Sequence, residues 1–171
     1  FAQVRQPAYP HSESPQPMWH ALETRIPPPL LMLLCAAIMS GIDQLWPQQW
    51  LSQPIAGGMG LLLAGCGAML DLGGLLHFLR ARTTINPLKP ASSRVLVTNG
   101  IYRVSRNPMY AGMLLMLGGW AAYLANPLAL AGLPLFVASV TRLQIVPEER
   151  ILLRLFGQTY ADYCRQVRRW L

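Results

Sequence analysis

Two short clusters in the chain carry residue types able to hold a charged small molecule. One is Arg106-Asn107-Pro108-Met109-Tyr110; the other is the pair Glu148-Glu149. A guanidinium offers a planar fork of donors that suits a carboxylate. Pro108 suits the first turn of a helix, where its missing N–H costs nothing, and Asn107 before it is a favoured N-cap. A helix starting there presents free backbone N–H groups to an arginine-rich loop, which makes an anion site. A glutamate can accept from an ammonium group or from sugar hydroxyls. The two clusters together suit a zwitterionic ligand. The same residues also permit a purely structural role, with Arg106 as a topological anchor and Glu148 and Glu149 complementing a helix dipole. Residue chemistry alone leaves both open.

The elements that must position these clusters are apolar runs. Over 171 residues, 53% are hydrophobic and only 12% are charged, against roughly 25% charged in soluble domains. The apolar residues are gathered into runs, as in an all-α, multi-span membrane protein with one domain. Four spans are expected, at about 30–46, 55–79, 109–125 and 128–146. The last two form a helical hairpin through the Asn126-Pro127 turn, so the Arg106 and Glu148 clusters return to one membrane face. A basic amphipathic helix over 147–169, with Leu152, Phe156, Tyr160, Tyr163 and Val167 on its apolar side, is expected to lie at the interface. Residues 1–26 read as a polar arm or a processed end outside the fold.

Charge sets the expected orientation. The net charge of +7 comes from arginines in loops flanking apolar runs, which argues for the positive-inside rule and against nucleic acid. The loop 80–107 carries Arg80, Arg82, Lys89, Arg94, Arg103 and Arg106 with no acidic residue, while 47–54 carries neither Lys nor Arg. Both chain ends and the 80–107 loop are therefore expected in the cytoplasm, most simply of a bacterial inner membrane. The segment 86–90, with two prolines, is expected to run extended. Cys35, Cys66 and Cys164 form no C-x-x-C, and His11, His20 and His77 are scattered, so neither a disulfide framework nor a metal site is indicated. In the second span, Gly60, Ala64 and Ala68 recur at every fourth position, with Gly57, Gly65 and Gly67 nearby; this pattern predicts close helix packing in lipid, with a cofactor-ring niche as the alternative. Asp71 in that span serves either function or an interhelical hydrogen bond.

The run Gly100-Ile101-Tyr102-Arg103, then Arg106-Asn107-Pro108-Met109-Tyr110-Ala111-Gly112, then Glu148-Glu149, Leu152, Phe156-Gly157, Tyr160 and Tyr163, resembles the isoprenylcysteine carboxyl methyltransferases and the related phospholipid methyltransferases. The resemblance covers roughly residues 83–169. It implies an integral membrane methyltransferase that uses S-adenosylmethionine and releases S-adenosylhomocysteine. It further implies that Gly100, Arg106, Asn107, Pro108, Tyr110, Glu148 and Glu149 hold the cofactor, with Arg106 and Glu149 as catalytic residues. Tyr160 and Tyr163 are candidates to shape the substrate side of the pocket, with packing of the last helix as the equal alternative. Asn107 stands where the eukaryotic enzymes have His, and it cannot titrate near neutral pH.

The expected acceptor is a lipophilic small molecule or a prenylated substrate, taken from among the membrane lipids. If its nucleophile is a carboxylate, it is already ionised and catalysis rests on alignment and desolvation. A phospholipid amine or a small thiol would need a base, for which Glu149 is the candidate. Two readings of other classes stand beside this one: an NADPH-dependent reductase of the membrane sterol type, and a non-enzymatic membrane scaffold.

Overall fold

The computed structural model describes residues 26–80 and 96–170. Every regular element among them is helical: α1 (Pro28–Leu45), α2 (Gln53–Arg80), α3 (Pro108–Leu124), α4 (Gly132–Val140) and α5 (Val146–Gln166). The arm before residue 26 and the proline-rich 86–90 segment lie outside the described residues. Among the described residues, three stretches are long and apolar enough to cross a membrane: Pro28–Leu45, Gln53–His77 and Pro127–Gln166. Helix α3 has 17 residues, which is about 26 Å of rise and just short of a bilayer core of roughly 30 Å.

Helix α3 packs chiefly on α2, and the fit between them depends on glycine. A Cβ on Gly60 would lie 2.9 Å from the Gly119 carbonyl oxygen, and one on Gly67 would lie 2.5 Å from that of Gly112. The seam therefore runs through Gly60, Ala64, Gly67, Asp71 and Gly74 of α2 against Met109, Gly112, Met116 and Gly119 of α3. This corrects the expected four-residue stripe. The spacing alternates between four and three, as a helix of 3.6 residues per turn requires of a long straight contact. Around Gly57 and Gly65 there is open space, so neither contributes to the seam.

Helix α1 closes the other side of α3 and also covers α4. Leu31, Cys35 and Met39 meet Met113, Leu117, Ala121, Phe136, Val140 and Ile145 in one apolar cluster. At the far end of α3, the Asn126 side chain is completely buried. Its Nδ2 donates to Asp43 Oδ1 at 2.9 Å and to the Trp46 carbonyl at 2.8 Å, and its Oδ1 accepts from the Leu128 N–H at 3.0 Å. One amide thus ties the α3–α4 turn to the end of α1, next to the exposed Trp46 and Trp50.

The fourth apolar run is not the single helix expected over 128–146. It begins as a 3-10 turn (Pro127–Ala131), becomes α4, and widens to a π turn (Thr141–Ile145) before α5. Pro147 supplies no N–H for the carbonyl four residues earlier, so the ladder cannot continue regularly into it. Helix α5 kinks at Gly157, with φ at 52°, a conformation that glycine enters without a Cβ penalty. Its apolar face is covered by the chain itself: Tyr160, Tyr163 and Val167 are buried with Leu96, Leu152, Phe156 and Cys164 around them.

Candidate functional site

The site forms where the start of α3, the start of α5 and the segment after α5 meet. Pro108 is at the first position of α3, as its fixed φ favours, and it is fully buried. Asn107 occupies the N-cap position, but its side chain caps nothing. Its Nδ2 donates instead to the Arg169 carbonyl at 2.9 Å, and its own N–H is taken by Ser105 Oγ at 3.1 Å. The expected side-chain cap is therefore replaced by a cross-link to the far end of the chain. An amide can donate there, whereas a carboxylate cap would only accept.

That cross-link belongs to a short extended pairing. Ser105 and Arg168 form a parallel bridge, and the Arg106 N–H donates to the Arg168 carbonyl at 3.0 Å. The pairing turns the Arg106 side chain toward α5, where its Nη1 lies 3.1 Å from Glu149 Oε1 and donates to Cys164 Sγ at 2.6 Å. Arg169 grips the same carboxylate from the other side, through Nε to Oε1 at 3.0 Å and Nη2 to Oε2 at 2.6 Å. This hydrogen bond raises the Arg169 guanidinium above its ordinary value, against an opposing contribution from burial. Glu148 is held separately. Tyr110 OH, one turn into α3, donates to its Oε1 at 2.8 Å across 38 positions of sequence.

The structure thus joins Arg106, Glu149 and, through Arg169, Asn107 in one network, with the Tyr110–Glu148 pair held beside it next to the buried Pro108. Gly100 sits apart from these ion pairs, with φ at 61° and its Cα against the His77 ring, so a turn and a close approach account for glycine there. Tyr160 and Tyr163 are buried in the α5 cluster, their ring centroids 6.2 Å apart. Tyr163 OH donates to the Tyr102 carbonyl at 2.6 Å. Burial raises the Tyr102 phenol well above its usual range, and Tyr163, Glu148 and Asp71 push it the same way. An open cleft of about 560 Å³ lies alongside, lined by Thr98, Asn99, Arg103, Tyr163, Gln166 and Val167.

Two polar atoms here have no partner among the described residues: the buried Nε of Arg106, and Oδ1 of Asp71, which faces Gly112 across the seam. Of the two roles open to Asp71, function or an interhelical hydrogen bond, the hydrogen bond is not made at that oxygen. Arg169, Ser105, Arg168 and Cys164 are members of the network that sequence reasoning missed. Arg169 read as one more basic residue on a wet helix face. The break at Gly157, which folds the second half of α5 back so that Glu149 and Cys164 share Arg106, and the extended backbone that starts at Val167 together bring it over Glu149. No group of three or more His, Cys, Asp or Glu side chains placed to hold a metal occurs among the described residues.

Comparison with known proteins gives a family. Residues 55–159 match the family model described as phospholipid methyltransferase. Among curated relatives, protein-S-isoprenylcysteine O-methyltransferase B of Arabidopsis thaliana is 28% identical over 74% of this chain and 60% of its own length. The A form from the same plant is 27% identical over 76% of this chain and 62% of its own length. Protein-S-isoprenylcysteine O-methyltransferase of Tribolium castaneum is 39% identical over 45% of this chain and 27% of its own length. The chain therefore spans about three fifths of the two plant relatives. No solved structure matches the chain at a significant level.

Proposed function

The chain belongs to the phospholipid methyltransferase family, and from that premise we propose that it is an integral membrane enzyme moving a methyl group from S-adenosylmethionine to a lipophilic carboxylate of the prenylcysteine type. The observation that carries this reading is the junction of the two clusters, Arg106 to Glu149 at 3.1 Å and Tyr110 to Glu148 at 2.8 Å. The donor set fits the cofactor: an arginine with a buried, unpartnered Nε beside a helix N-terminus for its carboxylate, and two glutamates for its ammonium and hydroxyl groups. When bound, the cofactor supplies an electrophilic sulfonium methyl. Arg106 binds and orients, Tyr110 fixes Glu148, and Asn107 anchors the start of α3 to the segment after α5.

The occupancy of the carboxylates favours an acceptor that arrives ionised. Both oxygens of Glu149 already accept from guanidinium groups, and Glu148 accepts from Tyr110. Taking a proton on Glu149 would remove the charge that both guanidinium groups are bonded to. A carboxylate acceptor needs no such step, so catalysis rests on alignment and on stripping water from the nucleophile. The proposed acceptor partner is accordingly a lipophilic or prenylated molecule within the bilayer. Four crossings are proposed, α3 included, with residues 80–107, the Arg106–Glu149 network and both ends on the cytoplasmic side of a bacterial inner membrane. The test is transfer of labelled methyl from S-adenosylmethionine to a farnesylcysteine analogue by the purified full chain. Label released by mild base as methanol marks a methyl ester and supports the reading. Base-stable label in phospholipid or thioether overturns the carboxylate assignment, and transfer to no acceptor overturns the enzyme.

A further inference from the structure

We propose that Arg169 is a positioning residue of the donor site, acting through Glu149; this rests on the methyltransferase reading above. Glu149 sits at the first turn of α5 with only one bond to α3-side chemistry, the 3.1 Å contact to Arg106. A glutamate has three side-chain torsions, and a single charge contact leaves it free to turn. Arg169 removes that freedom. Its Nε and Nη2 meet both carboxylate oxygens in the fork geometry that fixes a plane as well as a distance. Lysine, a point charge, cannot reproduce the plane.

Arg169 is itself held by backbone. Its carbonyl accepts from Asn107 Nδ2, and the preceding residue pairs with Ser105 and Arg106 in the parallel bridge. Trp170 next to it packs on the main apolar cluster. The segment 167–170 therefore works as a clasp: one face fixes the loop carrying Arg106 and Asn107, while the other delivers a guanidinium to Glu149. The Arg169 side chain stays 40% exposed while Glu149 is 18% exposed, which places Arg169 behind the carboxylate on the solvent side. A ligand group reaching Glu149 from the Arg106 side would meet a carboxylate already oriented.

The test is a double-mutant cycle in the full chain, Arg169→Gln and Glu149→Gln, read by S-adenosylhomocysteine affinity and by the KM for each substrate. Arg169→Gln is expected to weaken S-adenosylhomocysteine about tenfold or more and to raise the donor KM while leaving the acceptor KM within twofold. Arg169→Lys should recover part of the loss. In the Glu149→Gln background, adding Arg169→Gln should change affinity less than twofold, because the group it acts through is gone. Arg165→Gln, whose partner Asp162 is an exposed neighbour on the same helix, is the control and should match wild type. Additive effects, or an Arg169→Gln protein that loses thermal stability but keeps its affinity, overturn the proposal. If Arg169→Gln fails to fold, Arg169→Lys alone decides: unchanged affinity overturns the proposal and a loss confined to the donor supports it. A wild-type chain that binds no S-adenosylhomocysteine instead overturns the methyltransferase reading itself.

Discussion

Gly65 and Gly67 lie two positions apart in α2, yet alanine should have opposite effects at the two sites. A Cβ at Gly65 meets nothing within 4 Å. Alanine there gains helix propensity, about 1 kcal/mol at most, and touches no other helix. A Cβ at Gly67 would lie 2.5 Å from the Gly112 carbonyl oxygen, 2.8 Å from Met116 Cγ and 2.9 Å from the Met116 backbone nitrogen. Met116 can swing its side chain aside, but the two backbone atoms cannot yield without moving α3. Ordinary contact begins near 3.4 Å, so the helices must part by almost an ångström. Overpacking of this kind costs about 1–3 kcal/mol, and separation also forfeits dispersion along the seam from Gly60 to Gly74. After subtracting the propensity gain, Gly67→Ala should be destabilised by up to roughly 2 kcal/mol and Gly65→Ala unchanged or slightly stabilised. Thermal unfolding of the purified variants in one detergent, followed by helical circular dichroism, reads the difference. Equal midpoints for the two variants would refute the seam as the reason for these glycines.

Asn126→Ala removes a completely buried amide and three hydrogen bonds, leaving the Leu128 N–H and Asp43 short of partners. A loss of about 2–4 kcal/mol is expected, measurable as an early unfolding midpoint. Tyr102 gives a prediction at high pH. Its folded phenol titrates above the usual value of about 10, held there mainly by burial. The neutral form is thus favoured by folding: the stabilisation is complete below about pH 10 and is lost as pH rises above it. Tyr102→Phe should flatten the alkaline limb of the stability profile. An unchanged limb would assign that loss to other groups.

Much of the fold was legible because lipid-facing helices announce themselves by length and by the lack of charge. Pro28–Leu45, Gln53–Arg80 and Pro108–Leu124 begin at or beside prolines and end where polar residues return. The approach of Arg106 and Tyr110 to the glutamates was legible too, because a helical hairpin must return its two ends to one face. Other features depend on information that no local pattern holds. The stripe on α2 misled because small residues lie on several sides of that helix, and only the position of α3 selects Gly60, Gly67 and Gly74 from among them. Asn107 looked like a cap because its type and place favour one, but a distant carbonyl at Arg169 competed for its amide and won. Arg169 itself was hidden among five arginines of a basic helix, since its role depends on the break at Gly157 and the extended segment from Val167, which bring it back to Glu149. The π turn before Pro147 follows from the missing proline N–H, although the apolar run showed no break there.

The central claim is that the Arg106 edge and the paired glutamates form one donor-binding site. Equilibrium binding of S-adenosylhomocysteine to the purified chain, compared with Arg106→Ala and Glu149→Gln, tests it most directly. Arg106 contributes a charged contact that is 13% exposed on its own side, so its removal should weaken binding about tenfold to a hundredfold. Glu149→Gln should weaken it as well, with helix content unchanged in both variants. Saturable binding by wild type that falls in both variants is the predicted result; binding that neither substitution alters would contradict the account.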